Sequence, residues 1–206
     1  MLGMSVFDQL TAQSMRGGTA ECAVSIRLTT LLALDNDWRI AAAYWSVPFR
    51  TQADQDAVKR LGRLQPGRVL DEAVTDDAAH LVRALRSAID EPRLLPDLYS
   101  TSDNQVTIGS VADEVFVGET GKAAWAEFVQ YVTAFVPRGP MRAALAAPDI
   151  GWLAANIDVG HPSTPYRFFY VWTRESTGWR IVVSHDAVSR IPSTRTRGSV
   201  APTEHR

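Results

Sequence analysis

Apolar positions along the chain fall into two rhythms. After Thr75-Asp76-Asp77, a good helix N-cap cluster, Leu81, Val82, Leu85 and Ile89 recur at spacings near 3.6, which predicts an amphipathic helix. Pro92 and Pro96 break it, and LLPDLYS reads as a short second helix or turn. Gln105 to Gly109 and Glu114 to Gly118, rich in Val, Ile, Thr and Phe, predict a hairpin. KAAWAEFVQYVTAF then places Trp125, Phe128, Val129, Val132 and Phe135 on one helical face, with Pro137 and Gly139 ending it. Three strands are expected at Asp149 to Val159, Tyr166 to Thr173 and Trp179 to Val188, the last two joined by the turn Glu175-Ser176-Thr177-Gly178. This order of helices and antiparallel strands predicts an α+β fold, a curved sheet with helices on one face.

An internal repeat is the most specific pattern. RLTTLLALDNDWRIAAAYWSVP from Arg27 lies over RFFYVWTRESTGWRIVVSHDAV from Arg167 with one residue deleted in the turn, so Trp38-Arg39-Ile40 matches Trp179-Arg180-Ile181. Each copy reads as a β-hairpin of the same design. An isolated hairpin is marginal in water, so Leu28, Leu31, Leu32, Ile40, Tyr44 and Trp45 are expected to pack on the rest of the chain, on a second chain or on sequence upstream. Between the copies, residues 49–74 are polar and interrupted by Pro66 and Gly67, a linker with some helical tendency. The tail 193–206 carries one apolar residue of any size and reads as disordered.

Composition narrows the function classes. At 46% hydrophobic and 21% charged residues over 206 positions, one globular domain plus extra material fits. A net charge of -2 without a long basic block gives no footprint for nucleic acid or an anionic membrane surface. The N-terminus has no secretory pattern and no stretch has the apolar length of a membrane span, which leaves the cytoplasm as the expected location. The single Cys22 allows no internal disulfide. The four histidines, at 80, 161, 185 and 205, have no metal-ligand spacing, and neither a metal nor a cofactor is expected. Gly-x-Ser-x-Gly, P-loop, Rossmann and His-Glu-x-x-His motifs are absent.

VWTRESTGWRIVVSH, residues 171–185, resembles the closing hairpin of SnoaL-like domains of the nuclear transport factor 2-like superfamily, which includes ketosteroid isomerases. LLPDLYSTSDNQVTIGSVADEVFVGETGKAAWAEF resembles that family's second helix, first strand pair and third helix, so the likeness spans about residues 75–192. The resemblance implies a cone-shaped α+β fold, a curved antiparallel sheet wrapped on helices with a cavity between, commonly a dimer packed through the sheet. It also implies that residues 1–48 are a partial second domain, a closing-hairpin remnant. Only 37 residues precede Trp38, so either the start is internal to a longer two-domain protein or the remnant packs on something else. Catalytic members pair an Asp base with a Tyr and a protonated Asp, a trio that does not map onto this chain residue by residue.

Strict alternation along the last strand puts Trp179, Ile181, Val183, His185 and Ala187 on one face and Arg180, Val182, Ser184, Asp186 and Val188 on the other. His185 is then a candidate pocket acid or base, or a hydrogen-bonded core histidine. Tyr166, Phe168, Tyr170 and Trp172 share a face, where a Tyr170 hydroxyl would donate to a ligand oxygen or simply pack in the core. Trp152, Ala154, Asn156 and Asp158 align too, with Asp158 a candidate general base or a strand cap beside Gly160 and Pro162. The expected ligand lining is Trp152, Asn156, Tyr170, Trp172 and His185, suited to a flat apolar molecule with a carbonyl or hydroxyl. Two classes stay open: a binding or dimerising module, and a cofactor-free isomerase, dehydratase or cyclase acting on a steroid-like or polyketide-like carbonyl compound.

Overall fold

The computed structural model describes residues 2–16, 19–34, 37–46, 74–111, 113–132, 134–160 and 164–188. Apart from Val74, the expected linker 49–74 lies outside them, as does the tail 193–206. The fold is α+β, a seven-stranded mixed sheet packed on helices.

Helix α1 (Ala79–Asp90) buries Leu81, Val82, Leu85, Ala88 and Ile89 on one stripe, and a 3₁₀ segment at Pro92–Leu98 follows where proline removes helical donors. Strands β4 (Val106–Ile108) and β5 (Val115–Val117) form the expected hairpin. Helix α2 (Glu119–Tyr131) starts and ends earlier than its periodicity suggests. Phe135, expected on that helix, instead lies in β6 (Phe135–Pro137), where edge position tolerates the proline. Strand β7 (Arg142–Ala147) was not anticipated, because RAALAA has helical propensity; pairing with β8 (Ile150–Val159) overrides it. Strands β9 (Thr164–Glu175) and β10 (Gly178–Val188) complete a sheet of order β5-β4-β10-β9-β8-β6, with β7 also on β8 and β4 parallel to β10.

The inner face of this sheet meets the helices. Leu153, Ala155 and Ile157 of β8, Phe168, Tyr170 and Trp172 of β9, and Ile181 of β10 pack with Leu81, Leu85 and Trp125. Each such large side chain contributes about 1.5–3 kcal/mol by leaving water.

The N-terminal residues form a separate antiparallel meander, β1 (Leu2–Arg16), β2 (Thr19–Leu34) and β3 (Trp38–Ser46). Its β2 and β3 are the first copy of the repeat, and their pairing matches the second copy in detail. Register slips between Leu31 and Leu32 of β2, leaving Ala41 as the extra residue of β3. It slips between Val171 and Trp172 of β9, leaving Val182 as the extra residue of β10. Ala41 and Val182 occupy equivalent positions in the repeat, so both hairpins carry a β-bulge at the same place. β1, which the sequence reading did not identify, extends the match: Leu2, Gly3 and Met4 pair with Ala33, Leu32 and Leu31, as Ile150, Gly151 and Trp152 pair with Thr173, Trp172 and Val171.

The meander packs on the outer face of the main sheet. Leu31 joins Phe169, Val171 and Val183 in a second buried cluster, with Ala42, Tyr44 and Trp152 against it. Of the six apolar residues expected to need cover, Leu31 is buried and Tyr44 packs on this cluster, whereas Ile40 and Trp45 point away and are exposed.

Candidate functional site

The bulge at Val182 decides which residues of β10 face inward. Before it, Ile181 points to the helices; after it, Val183 points to the meander. Strict alternation, which groups Ile181 with Val183 and His185, therefore fails, because an extra residue inverts side-chain parity. Ser184 turns inward, donating to Thr107 Oγ1 at 3.2 Å. Asp186 follows it inward, and His185 turns outward.

On the inner side lies a cavity of about 350 Å³. Its walls are aromatic: Phe116 of β5, Trp125, Phe128 and Tyr131 of α2, and Tyr166 and Phe168 of β9. Thr107, Ser110, Glu114, Glu127 and Asp186 supply its polar groups. Ser110 and Glu114 belong to the β4–β5 loop, where Gly109 and Glu114 are bonded through backbone N–H and carbonyl at 2.8 Å. The Glu114 carboxylate accepts from Val111 N at 2.9 Å and lies over Gly109, where any Cβ would meet it. Beside the cavity, Gln105 Nε2 donates to Thr107 Oγ1 at 2.8 Å. The Tyr99 hydroxyl approaches Ser184 and Trp125 without closing a hydrogen bond to either.

Asp186 is the chemically distinctive group. Burial, reinforced by the Glu114 charge, pushes its carboxyl up to about 8, with Arg27 and a backbone hydrogen bond opposing. A carboxyl raised this far is mostly protonated at neutral pH, and in that form it can donate a hydrogen bond to a ligand oxygen. The Tyr166 phenol is raised too, by burial and then by Asp186.

His185 has a different environment. It is fully buried between the sheets, with Thr29 Oγ1 at 2.9 Å from Nδ1 and Ser46 Oγ at 2.7 Å from Nε2. Burial and the Arg27 charge lower it to about 3, so the ring is neutral and its one donor and one acceptor are both matched by hydroxyls. Tyr44 packs edge-on against it at 4.5 Å.

The expected lining is thus divided by the sheet. Trp152 packs in the outer cluster with His185's neighbours, and Asn156 is exposed. Tyr170 and Trp172 face the helices but are packed in the core beyond the cavity, Tyr170 stacked on Phe168 at 5.7 Å. Asp158 is buried at the strand end, accepting from Arg138 Nε at 2.5 Å through Oδ2. None of these residues lines the cavity. Sequence reasoning missed Asp186 and Glu114: the first is the neighbour of the residue it chose, and the bulge that exchanges them carries no glycine to mark it. Among the described residues no group of three or more His, Cys, Asp or Glu could hold a metal ion.

No protein-family model and no curated protein matches the sequence. Solved structures are similar to about half of it. A protein of unknown function of the DUF3225 family from Pectobacterium atrosepticum is 18% identical and overlays 56% of this chain and 93% of its own at TM-score 0.47. A candidate ketosteroid isomerase from Parabacteroides distasonis is 14% identical, covering 53% and 86% at TM-score 0.45. A candidate dehydratase of the nuclear transport factor 2-like family from Streptomyces avermitilis is 12% identical, covering 56% and 97% at TM-score 0.46.

Proposed function

We propose that this chain binds a flat, largely apolar small molecule in the cone cavity, with Asp186 donating a hydrogen bond to a carbonyl or hydroxyl oxygen of the ligand. Residues 75–192 are the binding domain in this reading, and residues 1–48 a partial second copy of it. The observation that carries it is a buried, raised carboxyl opening on an aromatic-walled space. No helix among the described residues is long and apolar enough to cross a membrane, and we place the binding activity in the cytoplasm. Pairing through the sheet, expected between two chains, is read here as made within one, since β1–β3 covers the outer face of β9 and β10.

A second reading, cofactor-free proton transfer on a carbonyl compound, is favoured by one further observation: Glu114 shares the cavity with Asp186. A proton-donating carboxyl and a second carboxylate at one site are the elements of acid-base catalysis.

Titrating 2-naphthol into the protein by isothermal calorimetry tests the binding reading. Saturable binding is expected, weakened about tenfold or more in Asp186→Leu and less in Asp186→Asn, which keeps a donor. Absence of saturable binding in the wild type would overturn it. Deuterium exchange of the α-protons of 2-tetralone, accelerated by the wild type and lost in Glu114→Gln, would establish the second reading over the first.

A further inference from the structure

The contact between the meander and the cone is reciprocal. In the repeat, Thr29 is equivalent to Phe169 and Tyr44 to His185. Thr29 bonds His185, Tyr44 stacks on Phe169 at 5.7 Å, and Tyr44 meets its own equivalent His185. Residue i of one unit touching j of the other, with j touching i in return, is the signature of a twofold interface between identical subunits. Leu31 and Val171, and Ala42 and Val183, are further equivalent pairs sharing one cluster. Here both halves are in one polypeptide.

Arg27 reaches furthest across this interface. It is fully buried, and its guanidinium donates to the carbonyls of Gly109 and Val111, each at 2.8 Å. Those carbonyls belong to the β4–β5 loop, whose Ser110 and Glu114 line the cavity from the other side. Both bonds come from one nitrogen, Nη1, and holding two carbonyls at once fixes a loop that has few apolar anchors of its own: Val111 is exposed.

We propose that β1–β3 acts toward the cone as a partner subunit would, and that its Arg27 is a positioning residue that holds the β4–β5 loop and its Glu114 against the cavity. The inference rests on the reading of the cavity as the ligand site. Its electrostatic consequence is specific. Asp186 interacts electrostatically with Glu114 from the loop, Arg27 from β2, Tyr166 and Tyr170 from β9, Tyr99 from the segment before β4 and, across the sheet, Tyr44 from β3. Arg27 is the cation among these groups, and its charge favours the ionised form of Asp186.

The test uses the full chain with Arg27→Met, Arg27→Lys and, as a control on the exposed side of β3, Arg39→Met. Three quantities are read: 2-naphthol affinity, amide exchange across residues 109–114, and the titration midpoint of the Asp186 carboxyl by carbon-13 NMR. Arg27→Met is expected to weaken the probe about tenfold and speed loop exchange, with an Asp186 midpoint above that of Arg27→Lys because the cation is lost as well as the loop contact. Arg27→Lys keeps the charge but its side chain ends one bond short of Nη1, so the loop should exchange fast and, with Glu114 released, the Asp186 midpoint should fall. Arg39→Met should change none of them. A folded Arg27→Met with wild-type loop exchange and midpoint would overturn the proposal. If that variant does not fold, slow loop exchange in Arg27→Lys overturns it instead. Failure of the wild type to bind 2-naphthol defeats the ligand reading alone, since loop exchange and midpoint still judge Arg27.

Discussion

Two three-stranded units of this chain share a pairing register and a β-bulge, yet they end in different surroundings. In β8–β10 the inner face carries Phe168, Tyr170, Trp172, Ile181 and Asp186, closed over by α1 and α2 with a cavity at one end. In β1–β3 the equivalent positions are Leu28, Thr30, Leu32, Ile40 and Trp45, and Ile40 and Trp45 stand in the open. The outer faces, in contrast, pack on one another. One backbone frame thus serves two purposes, and what separates them among the described residues is whether helices enclose the inner face. A pocket needs walls on both sides; a docking unit needs only one buried face.

The largest expected effect comes from separating the units. A chain of residues 75–192 alone exposes Phe169, Val171 and Val183, so in urea it should lose several kcal/mol relative to the full chain, on the order of 1.5–3 kcal/mol for each uncovered side chain, or pair with a second copy of itself. A fragment monomeric by sedimentation and as stable as the whole would break the comparison.

Next in size is Phe169→Ala, which removes a ring stacked between Tyr44 and Trp152 and should cost about 3–5 kcal/mol in urea melts.

The adjacent pair His185 and Asp186 should show opposite pH dependences. His185 falls from its ordinary 6.5 to about 3 on folding, so the folded state binds fewer protons and stability rises with pH between those values. Asp186 rises from 3.8 to about 8, so the folded state holds an extra proton and stability falls as pH increases from about 4 through 8. The two slopes oppose each other between about pH 4 and 6.5, each at most ~1.4 kcal/mol per pH unit. His185→Gln should therefore unmask a stability that falls with pH in this range, and Asp186→Asn one that rises. Parallel profiles for both variants in thermal melts would show that the sheet does not divide the two residues as described.

The smallest effect sharpens the same contrast. Ile40→Ala, on the bare face, should change stability by no more than about 0.5 kcal/mol, although it removes as much side chain as a core substitution.

Local pattern made much of the fold legible. The stripe Leu81, Val82, Leu85 and Ile89, the β4–β5 hairpin and the three long strands follow from periodicity and turn residues, and the W-R-I repeat marked two hairpins that the pairing registers match residue for residue. These are properties of a few neighbours, which sequence carries directly. Strand β7 was not legible, because an alanine-rich segment takes its conformation from the β8 edge it pairs with. Nor was the site. The sequence by itself determined that Tyr166 and Phe168 travel together, since β9 alternates without interruption across them. Only the tertiary structure decided that His185 locks the meander while Asp186 faces the cavity, because one extra residue at Val182 inverts the strand and nothing in its side chain announces it. Arg27 belongs to the same class: its partners lie more than eighty residues away, and the reason it is buried is the loop it holds.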